Sequence, residues 1–249
     1  MKRTCCLLLA LSFWPLIALA DDKKSDEMTD PLEILKKVDA AAKAVNAVKY
    51  EAVLEPTEGA AAQGGNLKAT VIATGYAHGE PEKYYVDVTY QMPSEEQTRH
   101  ITGGTDGEDY YVIDHQAKKA HVDIDPAVMG PHRIAITRGW MIEFLHDTPF
   151  SDEINGRSRE LLPSEMIAGE DCYTVRVVYQ AEGASVTTWC FSKKDFLPRR
   201  RVDVWTRQDG SRIGQCKTIT KLEVDPKIDE NTFKLKVPEG YEKTDEFAT

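Results

Sequence analysis

The chain has 249 residues, 41% of them hydrophobic, and a formal net charge of −10. This length suits one domain or two small ones, and the hydrophobic content is sufficient for a folded core. The acidity argues against nucleic acid and against anionic membrane surfaces as partners.

The N-terminus is typical of a secretory signal peptide. Lys2 and Arg3 precede the apolar run Cys5–Leu19, and small residues lead to Ala20. A membrane anchor is the alternative, but spanning a bilayer takes about 20 apolar residues, and Pro15 interrupts this shorter run. We therefore predict a signal peptide over residues 1–20, cleaved near Ala20, and a periplasmic protein without a transmembrane segment.

A polar leader over residues 21–29 precedes a clear helix start. Asp30 is suited to cap the helix, and Pro31 fits its first position. Apolar residues then recur at steps of three and four, at Leu32, Leu35, Val38, Ala42 and Val45. The helix therefore needs a surface on which to bury this stripe. We predict a single domain over residues 30–249.

Most of the remaining chain predicts strands, because segments rich in Val, Ile, Thr and Tyr alternate with turn residues. Short connections favour antiparallel pairing. Residues 125–156 break the pattern and predict short helices, including one around Trp140–Leu145. The predicted strands are Val48–Glu55, Leu67–Tyr76, Lys83–Gln91, Glu96–Ile101, Asp109–Asp114, Ala120–Ile124, Leu161–Ala168, Asp171–Gln180, Ser185–Ser192, Leu197–Thr206, Arg212–Glu223 and Phe233–Lys236.

Alternation places an aromatic surface on one side of two consecutive strands. Tyr173, Val175 and Val177 point to the same side, and Trp189 and Phe191 join them if Ala181–Ala184 forms the turn. Such a surface requires cover, either from helices or from a ligand.

Three cysteines follow the predicted signal peptide: Cys172, Cys190 and Cys216. With the same turn, Cys172 and Cys190 lie opposite each other at a separation that a disulfide tolerates, and free thiols are the alternative. Zinc-site spacing is absent from the sequence, and His121 and Asp123 with their neighbours form no recognisable ligand set, so we predict no metal and no cofactor.

Three motifs in order carry a resemblance. They are Gly169–Val175, which fits a G-x-x-C-Y-x-V strand, Trp189–Pro198, which ends in Leu-Pro, and the closing segment Phe233–Gly240. Together with the opening helix, these segments resemble the outer-membrane lipoprotein carrier family over roughly residues 30–242.

The resemblance implies a mainly β fold, an incomplete antiparallel β-barrel of about 11–12 strands with an N-terminal helix and short lid helices over an apolar hollow. Members of this family carry lipid-modified proteins or other lipids across the periplasm. The early strand that holds a cargo-binding arginine in the lipoprotein carrier is Leu67–Thr74 here, and it contains no arginine. The resemblance therefore extends to the fold and the hollow rather than to lipoprotein cargo.

These observations define the predicted sites. Arg199 and Arg201 are candidates for contact with a lipid headgroup or a protein partner, and a solvated strand edge is the alternative. The predicted cavity-lining residues, for which core packing is the alternative, are Trp140, Met141, Phe144, Leu145, Tyr173, Val175, Val177, Trp189 and Phe191.

Nucleophile motifs of hydrolases are absent from the sequence, so we predict no catalytic residues and no enzymatic activity. The leading hypothesis is a monomeric periplasmic carrier that holds a lipid, a lipoprotein acyl chain or another amphiphile, with an envelope protein as a further partner. The rival hypothesis is a solid-core interaction or structural module without a small-molecule ligand.

Overall fold

The computed structural model of the protein describes residues 27–57, 68–77, 82–91, 96–144, 146–179, 185–206 and 210–244. The predicted signal peptide, Leu145 and the predicted turn Ala181–Ala184 lie outside the described residues. Within the described part of the chain, twelve strands form one sheet in the order β12-β6-β5-β4-β3-β2-β1-β11-β10-β9-β8-β7. The sheet is not closed, since β12 and β7 are its two edges, and the predicted incomplete barrel is confirmed.

The strand bounds agree with the alternation in the sequence to within a few residues in most cases. They are β1 Ala47–Pro56, β2 Lys68–Tyr76, β3 Tyr84–Gln91, β4 Arg99–Thr105, β5 Tyr110–Asp114, β6 Lys119–Asp123, β7 Ser158–Ile167, β8 Glu170–Val178, β9 Val186–Ser192, β10 Pro198–Thr206, β11 Arg212–Val224 and β12 Glu242–Thr244.

The prediction of a final strand at Phe233–Lys236 is wrong. The chain forms a short 3₁₀ turn at Glu230–Thr232, and the Phe233 ring is buried against Tyr76, with 5.3 Å between ring centroids. Burial of Phe233 therefore comes from contact with a face of the sheet and not from strand pairing. The last strand, β12, pairs with β6 and is parallel to it, in contrast to the antiparallel pairing elsewhere.

Helix α1 spans Pro31–Lys43, as the capping signal predicts. The Leu32 backbone N–H donates to the Asp30 carboxylate at 2.8 Å, which satisfies one of the free donors of the first turn. The helix buries Leu35 and Val38 in the core of the molecule. The predicted cap and apolar stripe are both realised.

The segment between β6 and β7 contains the predicted short helices. A 3₁₀ segment at Pro126–His132 leads into α2, Arg133–Gly139, and Ser151–Ile154 forms α3. Around Trp140 the helical turn is confined to a 3₁₀ turn at Ile142–Phe144. The segment over residues 126–144 packs on one face of the sheet, where α2 contacts β2, β3 and β4. We call this face, which also carries the side chains of Val175 and Trp189, the inner face.

Candidate functional site

The predicted aromatic surface exists and is filled by the protein itself. Tyr173 pairs with Phe191 and Val175 with Trp189, so the four side chains share a face. The Trp189 and Phe191 rings stack at 5.6 Å, and the ring of Phe150 meets both of them edge-on at 5.3 and 5.4 Å. The cover that this surface requires is therefore a side chain from the residue before α3.

A buried carboxylate completes this cover. Glu153 on α3 accepts hydrogen bonds from the Trp189 indole N–H at 3.2 Å and from the Tyr179 hydroxyl at 2.6 Å. Burial raises the pKa of Glu153, and the Tyr179 hydrogen bond opposes that rise. Glu153 also lines a cleft that contains three further carboxylates, those of Glu143, Asp152 and Asp203, and that we call the acidic cleft. The Glu153 carboxylate therefore lies between the acidic cleft and the aromatic core.

Trp140, one of the predicted cavity-lining residues, is buried in the core and also lines a cleft. Its ring lies between the rings of Tyr50 and Tyr84, at centroid distances of 5.8 and 5.6 Å. The other described members of the predicted lining are buried and packed into the core: Met141, Phe144, Tyr173, Val175, Val177, Trp189 and Phe191.

An apolar cleft of about 260 Å³ lies beside Trp140, between the 126–144 segment and the sheet. Two exposed charged residues, Glu82 and Arg133, also line it. Its apolar lining comprises Tyr84, Tyr110, Met129, Ile136, Trp140 and Ile142.

The backbone at Trp140 is held to the sheet by two side chains. The buried Tyr50 hydroxyl donates to the Gly139 carbonyl and accepts from the Met141 N–H, both at 2.7 Å. Lys217 Nζ donates to the Trp140 carbonyl at 2.7 Å. Burial raises the pKa of Tyr50 and lowers the pKa of Lys217 to about 8.

The inner face changes character at β10 and β11. Arg201 pairs with Trp189 on one side and with Lys217 on the other, so these three side chains form a row across the sheet. The Arg201 guanidinium lies 4.9 Å from the centroid of the Trp189 ring and forms ion pairs with Glu143 and Asp203. Charged groups thus occupy an inward surface that is apolar on both flanks.

Two clefts of opposite charge flank this row. The acidic cleft, of about 530 Å³, is lined by four carboxylates against a single arginine, Arg201, with the exposed His146 also on its wall. The basic cleft, of about 210 Å³, is lined by three cations against one carboxylate, Asp203. The carboxylates of the acidic cleft are Glu143, Asp152, Glu153 and Asp203, and the cations of the basic cleft are Arg138, Arg201 and Lys217.

The three clefts share one lining residue. Ile142 lines the apolar, the acidic and the basic cleft, and its side chain is 49% exposed. Trp205, which is 37% exposed, lines both charged clefts. The 3₁₀ turn at Ile142–Phe144 therefore lies between the apolar cleft and the two charged clefts.

The two arginines that the sequence singles out belong to separate ion-pair clusters. Arg201 points inward, whereas Arg199 is buried against Glu170 at 3.0 Å and Asp195 at 2.6 Å. A β-bulge between Pro198 and Arg200 interrupts the alternation that would have placed both arginines on one face. Of these two arginines, Arg201 is the one that lines the charged clefts.

The predicted opposition of Cys172 and Cys190 is wrong by two residues. Cys190 pairs with Thr174, and Cys172 pairs with Ser192, in a register that begins with Val178 opposite Val186. Both thiols are free and buried, and Cys216 is also free. Burial raises the pKa of each of these thiols, so the ionised, reactive form is disfavoured.

The sequence provides only weak signals for the charged clefts. Arg201 and Asp203 alternate correctly for one face of β10, but polar residues also occupy the other face of that strand. Glu143 lies 58 residues from Arg201 in the chain, and Trp140 lies 77 residues from Lys217. Because polar residues occur on both faces of the strand, its sequence does not show which face points inward. The inward placement of Arg201, Asp203 and Lys217 is therefore decided by the tertiary structure.

Comparison with known proteins gives structural similarity without close relatives in sequence. No protein-family model matches the chain, and no curated protein sequence matches it. In the described part of the chain, no helix has the length and apolar character needed to cross a membrane.

Three solved structures illustrate the similarity. MucB is 9% identical, with 83% of this chain and 63% of that chain covered and a TM-score of 0.49. LprF from Mycobacterium bovis is 9% identical, with 86% and 100% covered and a TM-score of 0.49. The lipoprotein LppX from Mycobacterium tuberculosis is 10% identical, with 80% and 96% covered and a TM-score of 0.48. The chain spans about six-tenths of the length of MucB.

Proposed function

We propose that the protein is exported to the periplasm and is a non-enzymatic binder of an amphiphile, which it carries or senses there. The apolar part of the ligand would occupy the cleft beside Trp140, and its polar end would lie in the charged clefts. The single observation that carries this proposal is that one exposed side chain, Ile142, lines the apolar cleft and both charged clefts.

The size of the apolar cleft limits what it holds. Its volume of about 260 Å³ lies just below the range of roughly 300–1,000 Å³ that is typical of small-molecule sites. One short chain fits this space, and a larger ligand requires α2 to move away from the sheet. Such a movement is consistent with the short length of α2, which spans Arg133–Gly139.

Removal of the Trp140 ring tests the proposal. We expect the Trp140→Ala variant to lose uptake of a fluorescent fatty acid, because the ring forms one wall of the apolar cleft. Phe191→Ala is the matched control, since Phe191 is a buried core aromatic that lines neither the apolar cleft nor the charged clefts. It should lose stability but retain uptake at a temperature where it is folded.

Native mass spectrometry of protein purified from its own periplasm provides the second measurement. We expect a co-purified amphiphile in a fraction of the molecules. Wild-type protein that carries no lipid and takes up no fluorescent fatty acid would overturn the proposal.

The solid-core module is the second candidate, and one observation favours it. The aromatic half of the inner face is filled by Phe150, so that half holds no ligand. On this alternative, Trp140→Ala lowers stability and leaves no binding activity to lose. The fatty-acid measurement on wild-type protein therefore separates the two candidates.

A further inference from the structure

We infer that the head group of the ligand is zwitterionic, with a phosphate in the basic cleft and a protonated amine in the acidic cleft. The inference rests on the proposed function and names the class of amphiphile that the charged clefts fit. Its basis is the opposite charge of two clefts that share the walls Arg201 and Asp203.

The basic cleft has the chemistry of an anion site. Arg138, Arg201 and Lys217 line it, and Asp203 is its one carboxylate. Lys217 uses one of its three donors on the Trp140 carbonyl. Because the fold buries this ammonium, a phosphate beside it would stabilise the charged form.

The acidic cleft has the opposite chemistry. Two of its carboxylates, those of Glu143 and Glu153, belong to residues that are only 5% exposed, and Glu143 differs from Glu153 in its hydrogen bonding. Oε1 of Glu143 accepts from Arg201, but its buried Oε2 accepts no hydrogen bond from any residue that the structure describes. A buried carboxylate oxygen without a donor costs free energy, so a ligand that donates to it is favoured.

The charge balance around that oxygen selects an amine. Arg201 is shared between Glu143 and Asp203, and the remaining carboxylates of the acidic cleft, Asp152 and Glu153, form no ion pair with a described residue. A phosphate or a carboxylate placed there would face like charges, whereas a protonated amine would meet acceptors and the aromatic ring of Trp205.

The three clefts adjoin one another. The apolar cleft shares Trp140 with the basic cleft and His146 with the acidic cleft, and Ile142 lines all three. The two charged clefts also share Arg201, Asp203 and Trp205. An ethanolamine phospholipid supplies a chain, a phosphate and an amine, one group for each cleft.

The test compares three single-chain lipids that share one acyl chain: lysophosphatidylethanolamine, lysophosphatidylglycerol and monoacylglycerol. Binding to the wild-type protein is followed at pH 7 through intrinsic tryptophan fluorescence, to which Trp140 and Trp205 contribute. We expect lysophosphatidylethanolamine to bind about tenfold more tightly than lysophosphatidylglycerol, which lacks the amine, a difference of about 1.4 kcal/mol. It should exceed monoacylglycerol by a larger factor, because monoacylglycerol lacks the phosphate as well.

Two variants test which cleft binds the amine of the head group and which binds the phosphate. Glu143→Gln should abolish the preference for the ethanolamine over the glycerol head group. Lys217→Met should weaken the binding of both phospholipids and reduce lysophosphatidylglycerol to the affinity of monoacylglycerol, while the preference for ethanolamine remains. The matched controls are Glu160→Gln and Lys221→Met, which alter exposed side chains on β7 and β11 and should leave the ranking unchanged.

The outcomes separate this inference from the proposed function. Binding of all three lipids with any ranking other than ethanolamine first overturns the zwitterionic head group and leaves the binding of amphiphiles intact. A preference for ethanolamine that survives in folded Glu143→Gln overturns the assignment of the amine to the acidic cleft. If none of the three lipids binds but the fluorescent fatty acid is taken up, the head-group assignment falls and the proposed function stands. If the fatty acid is not taken up either and no lipid co-purifies, the proposed function itself is overturned.

Discussion

The inner face of the sheet consists of two regions that meet at the pairing of β1 with β11. On the β1 side, Leu54 is followed across β2 and β3 by Ala69 and Tyr90, and all three side chains are buried. On the other side, Lys217 is the partner of Leu54, and Arg201 is the partner of Lys217. A single cross-strand row therefore passes from apolar to charged between neighbouring strands.

The stability of the fold accounts for the apolar region of the inner face but not for the charged region. Burial of apolar side chains stabilises the protein without any ligand, by about 25 cal/mol per Å² of apolar surface removed from water. Burial of cations does not, because desolvation opposes it and a partner only offsets that penalty. The charged region thus requires an explanation beyond folding, and the proposed ligand supplies one.

The largest expected effect concerns the filled aromatic core. Phe191→Ala should lower the free energy of unfolding by about 3–5 kcal/mol, because it leaves a cavity beneath Phe150 and Trp189. Chemical denaturation monitored by circular dichroism measures this loss. A loss below about 1 kcal/mol would indicate that this region is loosely packed and open to a ligand.

The charged region should respond to pH. The pKa of Lys217 is about 8 in the folded protein and about 10.4 in an unfolded chain, so the unfolded state binds more protons between these values and stability rises with pH there. The free energy of unfolding of the wild type relative to Lys217→Met should therefore increase from about pH 8 to about pH 10.5, by at most about 3 kcal/mol. Urea denaturation of both proteins across this range measures it. A constant difference would place the Lys217 ammonium in water.

The contact between the sheet and Trp140 should be sensitive to one added methyl group. A Cβ atom on Gly75 would lie 2.4 Å from Trp140 Cη2 and 3.0 Å from the Lys83 carbonyl oxygen. Gly75→Ala should therefore displace the indole ring and lower stability by about 1–3 kcal/mol. Thermal unfolding and the tryptophan emission maximum report both effects, and Thr70→Ala, at an exposed position of β2, is the control. Unchanged emission would contradict the close packing of Trp140 on β2.

The smallest effect is expected on the outer surface. Arg176 and Glu160 form an ion pair at 2.9 Å, with about half of each side chain exposed. Arg176→Ala should change the free energy of unfolding by less than about 1 kcal/mol, because solvent screens exposed pairs. A larger loss in urea denaturation would show that ion pairs outside the charged clefts also contribute substantially to the fold.

The sequence predicts features that depend on neighbouring residues and fails for features that depend on distant ones. The capping signal at Asp30 and the alternation of Tyr173 and Val175 are local patterns, and both are realised. The register of β8 against β9 is a pairing between two strands and not a pattern within one, and the prediction displaced Cys190 by two positions from its partner Thr174. The burial of Phe233 has no local signal, because its partner Tyr76 lies in a distant strand.

The sequence by itself determined strands β1 to β11, the first helix and the apolar surfaces that they bury, because these depend on caps, turns and alternation over a few residues. Tertiary structure alone decided that Phe150 fills the aromatic face and that Glu143, Arg201 and Lys217 meet around Ile142. The physical reason is that a cleft forms where surfaces from distant parts of the chain fail to close against each other. No periodicity within one element encodes that mismatch.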